Sequence, residues 1–134
     1  MRKSSRFAVF GIGRYGKQIA LSLASKGAEV ITFDTNPNRS ESIKDDVALA
    51  VTLDSTDIRS LQSQNVQEMD AAIVAIGENF EATVLTSLNL LDLGVPRFIV
   101  RSNGDHQQRI LSSLGIQGVL TPESEVASIV AERL

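Results

Sequence analysis

The chain has 134 residues, 43% hydrophobic and 22% charged, enough for one domain with a core of its own. Its net charge of −3 excludes a broad nucleic-acid surface, which needs clustered Lys and Arg. The absence of cysteine excludes disulfides, thiolate catalysis and Cys-ligated zinc.

No apolar run reaches the about 18 residues that a membrane span requires. Met1–Arg6 makes a charged start, but Phe7–Phe10 after it is too short for a signal peptide. The expectation is a cytoplasmic protein.

Arg6–Phe10 reads as a buried strand. Gly11-Ile12-Gly13-Arg14-Tyr15-Gly16 follows it and opens a helix over Lys17–Lys26, with Tyr15, Ile19 and Leu23 as its apolar stripe and Gly27 as its stop. Val30–Phe33 is the second strand, closed by Asp34 and a turn over Asp34-Thr35-Asn36-Pro37. Ala48–Leu53 is the third, after which Ser55 or Thr56 caps a helix over Asp57–Gln64. Ala71–Ile76 is the fourth. A longer helix starts at Asn79 or Thr83, carries Ala82, Leu85, Leu88 and Leu91, and ends at Gly94. Pro96 then keeps the chain extended into the fifth strand, Arg97–Val100. Asp105 caps a segment holding Ile110, Leu111 and Leu114, which Gly115 stops. Val119-Leu120 is the sixth strand, and Thr121-Pro122 starts the last helix.

The strand runs are continuously apolar, as expected of strands covered on both faces. Their alternation with helices predicts an α/β fold: a Rossmann-like, doubly wound, parallel six-stranded sheet, with residues 1–134 as one domain. The glycine motif sets strand one at the topological switch point. In the last helix Val126, Ile129, Val130 and Leu134 form an apolar face with no stop signal. That pattern is expected of the N-terminal part of a longer protein.

Each glycine has a task in a phosphate loop. Gly11 permits the tight turn, Gly13 lets backbone approach the phosphates, and Gly16 lets helix and strand pack closely. Free N–H groups and the positive dipole at the helix start then hold anionic oxygens. Asp34, 18 residues beyond Gly16, can accept from ribose hydroxyls or simply start the turn. Its charge would repel a 2′-phosphate, which argues against NADP, and the nearby Arg39 is subordinate to it. Arg14 can reach outer phosphates or pair with a surface acid. Asp54 can accept from an adenine amino group, while Ser55 serves that loop or caps its helix. Ala75-Ile76-Gly77 either leaves room for ribose and phosphates or is an ordinary strand-to-helix turn.

A dehydrogenase needs a proton donor or acceptor beside the nicotinamide and a substrate pocket. The one histidine, His106, reads as a surface helix residue. The sequence holds no Ser-His-Asp set, no metal-binding His cluster and no Walker-type loop. The expected site binds a nucleotide without acting on it.

Phe7 to Gly16 resembles the start of an RCK domain, also called KTN or TrkA-N, of the KtrA/TrkA type. The likeness continues through Asp34, Asp54-Ser55-Thr56-Asp57, Ala72 to Gly77, Phe98-Ile99-Val100-Arg101 and Val119 to Glu123. The resemblance implies a cytoplasmic, nucleotide-binding regulator of a potassium channel or transporter, held to the inner face of the membrane by its partner. It implies a homodimer assembling into a ring, typically an octamer. ATP or ADP, or alternatively NAD or NADH, are the implied ligands. It assigns Arg14 to phosphates and Asp34 to ribose, and it adds Ile12, Tyr15, Thr35 and Arg101 to the site. Glu123 is implied to help hold a divalent cation such as magnesium at the dimer interface, or it only favours the helix dipole. Members usually carry a second, smaller C-terminal domain that these 134 residues do not include. Three functions follow from this reading: an ATP/ADP sensor, an NAD(H) redox sensor of the same family, or the cofactor half of an NAD-dependent oxidoreductase.

Overall fold

Side chains alternate across a strand, so a strand buried on both faces feeds two cores. The computed structural model, which describes residues 5–134, is built this way; residues 1–4 of the charged start lie outside it. The elements in chain order are β1 (Arg6–Phe10), α1 (Arg14–Ser25), β2 (Glu29–Asp34), α2 (Pro37–Ile43), β3 (Leu49–Thr52) and α3 (Ile58–Ser63). A 3₁₀ turn over Val66–Glu68 leads to β4 (Ala71–Val74), α4 (Phe80–Asp92), β5 (Phe98–Arg101), α5 (Asp105–Ser113), β6 (Val119–Leu120) and α6 (Pro122–Arg133). The six strands pair in the order β3-β2-β1-β4-β5-β6, all in parallel. The predicted sheet is therefore present, with the order reversing beside β1.

Ala8, Phe10, Ile31, Phe33, Ala72 and Val74 face one core with Leu61, Leu90 and Leu111 of α3, α4 and α5. The rings of Phe10 and Phe33 stack there with centroids 4.9 Å apart. Val9 and Val30 face the other core with Ala20 of α1 and Ile43 of α2. Burying each such side chain contributes about 1.5–3 kcal/mol. The covering is incomplete: Ile99 of β5 and Val126, Ile129 and Val130 of α6 are all about half exposed.

Several boundaries differ from the sequence reading. α1 begins at Arg14 rather than Lys17, so Tyr15 lies in its first turn and is exposed instead of joining the apolar stripe. The turn read over Asp34–Pro37 leads directly into an unpredicted helix. Asn36 caps it by accepting from the Asn38 N–H, and proline takes its first position. Its short run carries only Ser40 and Ile43 inward, too few for a helical period to show in the sequence.

Asp57, not Ser55 or Thr56, caps α3 by accepting from the Arg59 N–H. Asn79, the first of its two predicted alternatives, caps α4. Asp105 is the first residue of α5 rather than its cap. The cap is Gly104 at φ 124, a backbone angle an aspartate resists. Thr121 starts α6 as expected, but its hydroxyl pairs with Ser102 at 2.6 Å instead of capping the helix.

Candidate nucleotide-binding site

The loop after β1 is shaped by contacts that forbid side chains. Gly11 has φ +92, and a Cβ on it would stand 2.8 Å from the Ala75 carbonyl oxygen at the end of β4. A Cβ on Gly16 would overlap the carbonyl oxygen of Gly11 and stand 2.8 Å from its carbonyl carbon. Gly13 is different. Its Cβ direction is open, with only an Arg39 guanidinium nitrogen as near as 4.0 Å. Two glycines thus close the turn on itself, and the third leaves backbone exposed at the start of α1. As the N-cap of α1, Gly13 offers no side chain to the helix N–H groups. Those donors stand free for an anion.

Asp34 at the end of β2 fastens this loop. Its Oδ2 accepts from the Ile12 N–H at 2.7 Å and its Oδ1 from the Asn36 N–H at 2.8 Å, with the side chain only 5% exposed. The Arg39 guanidinium of α2 lies 3.7 Å from Oδ2. The residue predicted to read ribose therefore already holds the glycine loop in shape.

Across the loop, the Arg101 guanidinium at the end of β5 lies over the Tyr15 ring, 4.2 Å from its centroid. A Cβ on Gly77 would stand 2.6 Å from one of its terminal nitrogens, so that glycine makes room for the guanidinium. Arg101 Nε is buried and has no hydrogen-bond partner among the described residues. Asn103 ties β5 to the β4–α4 turn by donating from its side chain to the Gly77 carbonyl oxygen.

These elements enclose a cleft of about 1290 Å³ over the carboxyl ends of β1, β2, β4 and β5. Small-molecule pockets run to about 300–1,000 Å³, so there is room for a nucleotide with several phosphates or a dinucleotide. Of the predicted site residues, Gly11, Gly13, Arg14, Tyr15, Asp34, Thr35, Asp54, Ser55, Ala75, Ile76, Gly77, Arg101 and Glu123 line it. Ile12 and Gly16 do not. The Ile12 side chain is buried in the α1–α2 core, its N–H taken by Asp34, and Gly16 lies at the close contact of helix and loop.

Asp54 faces the cleft at the end of β3. The Thr56 hydroxyl, at 2.7 Å, and then the Thr56 N–H, at 3.0 Å, hold its carboxyl below the ordinary Asp value. It is a charged acceptor there. The Ser55 hydroxyl is committed to Thr86 at 2.7 Å. Glu123, at the start of α6, reaches the cleft edge, but no group of three His, Cys, Asp or Glu able to hold a metal exists among the described residues. His106 is exposed on α5, away from the lining.

Arg39, Glu78, Glu81 and Asn103 line the cleft without having been assigned to it from the sequence. Their signal was adjacency alone, because Glu78 and Glu81 follow the glycine turn at Gly77 and Arg39 follows Asp34 by one helical turn. The described residues contain no helix long and apolar enough to cross a membrane.

The same fold is found in known proteins. The NAD(P)-binding domain of an exopolyphosphatase-related protein from Archaeoglobus fulgidus superposes with a TM-score of 0.83 at 19% identity, covering 95% of each chain. The AMP-bound Kef C-terminal domain of Shewanella denitrificans superposes with a TM-score of 0.79 at 13% identity, over 94% of this chain and 77% of that one. In sequence, the Ktr system potassium uptake protein C of Bacillus subtilis is 35% identical over 128 residues. That match takes in 96% of this chain and 58% of the relative, so the chain spans little more than half of that protein's length. The TrkA-N domain profile matches residues 7–122, from the middle of β1 to the start of α6. By that match, which takes in most of its length, the chain belongs to the TrkA-N domain family.

Proposed function

We propose that the chain is the nucleotide-binding regulatory domain of a potassium uptake system, with ATP and ADP as its opposed ligands. The observation that carries this is the Arg101 guanidinium. It stacks on Tyr15 at the rim of the glycine loop, and its buried Nε has no acceptor among the described residues. Burying a donor unpaired is unfavourable, and an anionic oxygen in the cleft would relieve it. Arg14 in the first turn of α1 lines the same space. The loop N–H groups would take the inner phosphates and the two guanidinium groups the outer ones, which is where ATP and ADP differ. Asp34 keeps acceptor capacity for ribose hydroxyls beside its two backbone bonds, and Asp54 is a charged acceptor for the base.

Binding itself would be the output. A ligand biases a partner only through a difference in its affinity for two states, and here that difference would arise at the outer phosphate. The partner in this reading is a membrane potassium channel or transporter subunit, the system to which the Bacillus subtilis relative belongs by its name. The domain would sit at the inner face of the membrane through that partner. The half-exposed apolar residues of β5 and α6 suit a homodimer, and an octameric ring of such dimers is part of the proposal. The described residues of one chain supply no cation cage, so a magnesium ion beside Glu123 would draw its other ligands from phosphate oxygens and a second copy.

Calorimetric titration with ATP, ADP and NADH tests the reading. ATP and ADP should bind with different affinities, and Arg14→Ala should narrow the difference. Equal affinities that Arg14→Ala leaves unchanged would refute phosphate sensing. NADH binding in preference to both would instead support a redox sensor, a reading favoured by the shared fold with an NAD(P)-binding domain.

A further inference from the structure

We propose that Arg39 is a phosphate-reading residue of the cleft, its guanidinium shared between the Asp34 carboxylate and a phosphate seated on Gly13; this rests on the nucleotide reading above. The placement of Arg39 is built in. It is the third residue of α2, whose start is fixed by the Asn36 cap and whose inner face is fixed by buried Ser40 and Ile43. The Arg39 N–H donates to the Asn36 carbonyl oxygen at 3.1 Å, so the side chain leaves the helix from a defined point. From there one terminal nitrogen lies 3.7 Å from Asp34 Oδ2 and 4.0 Å from where a Cβ on Gly13 would be. Apart from Gly13 itself and its chain neighbours Ile12 and Arg14, no other atom of the described residues lies within 4 Å of that open point.

The pairing with Asp34 is long for a hydrogen bond. The Arg39 donors therefore remain available to a ligand. The charge arrangement gives them a task. Asp34 sets a carboxylate next to the loop that receives phosphates, and two anions so close repel. A guanidinium between them lets a ribose acid and a phosphate site share one cleft. The sequence reading subordinated Arg39 to Asp34, whereas α2 sets one guanidinium nitrogen 3.7 Å from the acid and 4.0 Å from the open point above Gly13.

Calorimetry on the whole chain with adenosine, AMP, ADP, NAD and NADP tests this. Arg39→Gln should bind adenosine as the wild type does and ADP about tenfold or more weakly, the ratio expected from losing one charge-assisted hydrogen bond. Added salt should shrink the difference. Arg39→Lys, which keeps the charge and loses the fork, should recover part of the ADP affinity. Arg39 is half exposed, so both variants should unfold at the wild-type temperature. ADP binding unchanged in Arg39→Gln, with Arg14→Ala weakened, would overturn the proposal and leave the nucleotide reading standing. An equal loss for adenosine and ADP would assign Arg39 to loop structure and also overturn it. A loss seen with NADP but not with NAD or ADP would assign it to a 2′-phosphate instead. A wild-type chain that binds none of the five ligands would overturn this proposal and the nucleotide reading together.

Discussion

Alanine at Gly16 and alanine at Gly13 should fail in different ways, although both add one methyl group to the same loop. At Gly16 the new Cβ would overlap the Gly11 carbonyl oxygen and stand 2.8 Å from that carbonyl's carbon. Nonbonded heavy atoms settle at about 3.5–4.0 Å, so relieving the overlap with the Gly11 oxygen makes α1 or the end of β1 retreat by more than about 1 Å. Overpacking of this kind costs about 1–3 kcal/mol, and here the obstacle is backbone that Asp34 fastens through Ile12. Alanine's better helix propensity returns at most about 1 kcal/mol. A net loss of about 1–2 kcal/mol lowers the unfolding midpoint of a domain this size by roughly 3–10 °C.

At Gly13 the Cβ meets nothing nearer than the Arg39 nitrogen at 4.0 Å, and φ is −82, which alanine adopts freely. Gly13→Ala should therefore melt within about 2 °C of wild type while binding ADP about tenfold or more weakly, because its methyl fills the space a phosphate needs. Circular dichroism melts read the first quantity and calorimetry the second. If Gly13→Ala binds ADP like the wild type, or if Gly16→Ala is as stable as Gly13→Ala, the account of the loop is wrong.

Two further outcomes follow from hydrogen bonds beside the cleft. Ser55 and Thr86 share a buried hydroxyl pair at 2.7 Å linking the β3–α3 loop to α4. Ser55→Ala or Thr86→Val alone should cost about 1–3 kcal/mol in urea unfolding by stranding the partner. The double variant should cost clearly less than the sum, and strict additivity would refute the coupling. Asp54, held low by Thr56, stabilises the fold at pH values above its unfolded pKa of about 3.9 and loses that contribution as pH falls through its lower folded value. The stability gap between wild type and Asp54→Asn should therefore be constant near neutral pH and shrink toward pH 3; a gap that widens in acid would refute the assignment.

The sheet was legible in the sequence because continuous apolar runs separated by helix stops admit few other architectures. Arg6–Phe10 followed by the glycine loop and then Asp34 also located the cleft, since backbone geometry alone makes that turn require glycine. Helix starts were less legible. Ser55, Thr56, Asp57, Gly104 and Asp105 are all plausible caps by residue type, and the choice of Asp57 and Gly104 depends on backbone angles that only the closed fold sets.

α2 stayed hidden because seven residues with two buried positions carry no period. With it stayed hidden the place of Arg39, because a guanidinium five residues beyond Asp34 points to the cleft only when a helix turns it there. The same holds for Arg101. Its residue type allowed an anion contact, but its stacking on Tyr15 and its fit against Gly77 join residues from β5, α1 and the β4–α4 turn. The sequence alone thus determined the sheet, the glycine loop and the acid beside it, because local backbone constraints and apolar patterning act within short segments. Which cations meet over that loop was decided only by tertiary structure, because it depends on contacts between segments distant in the chain.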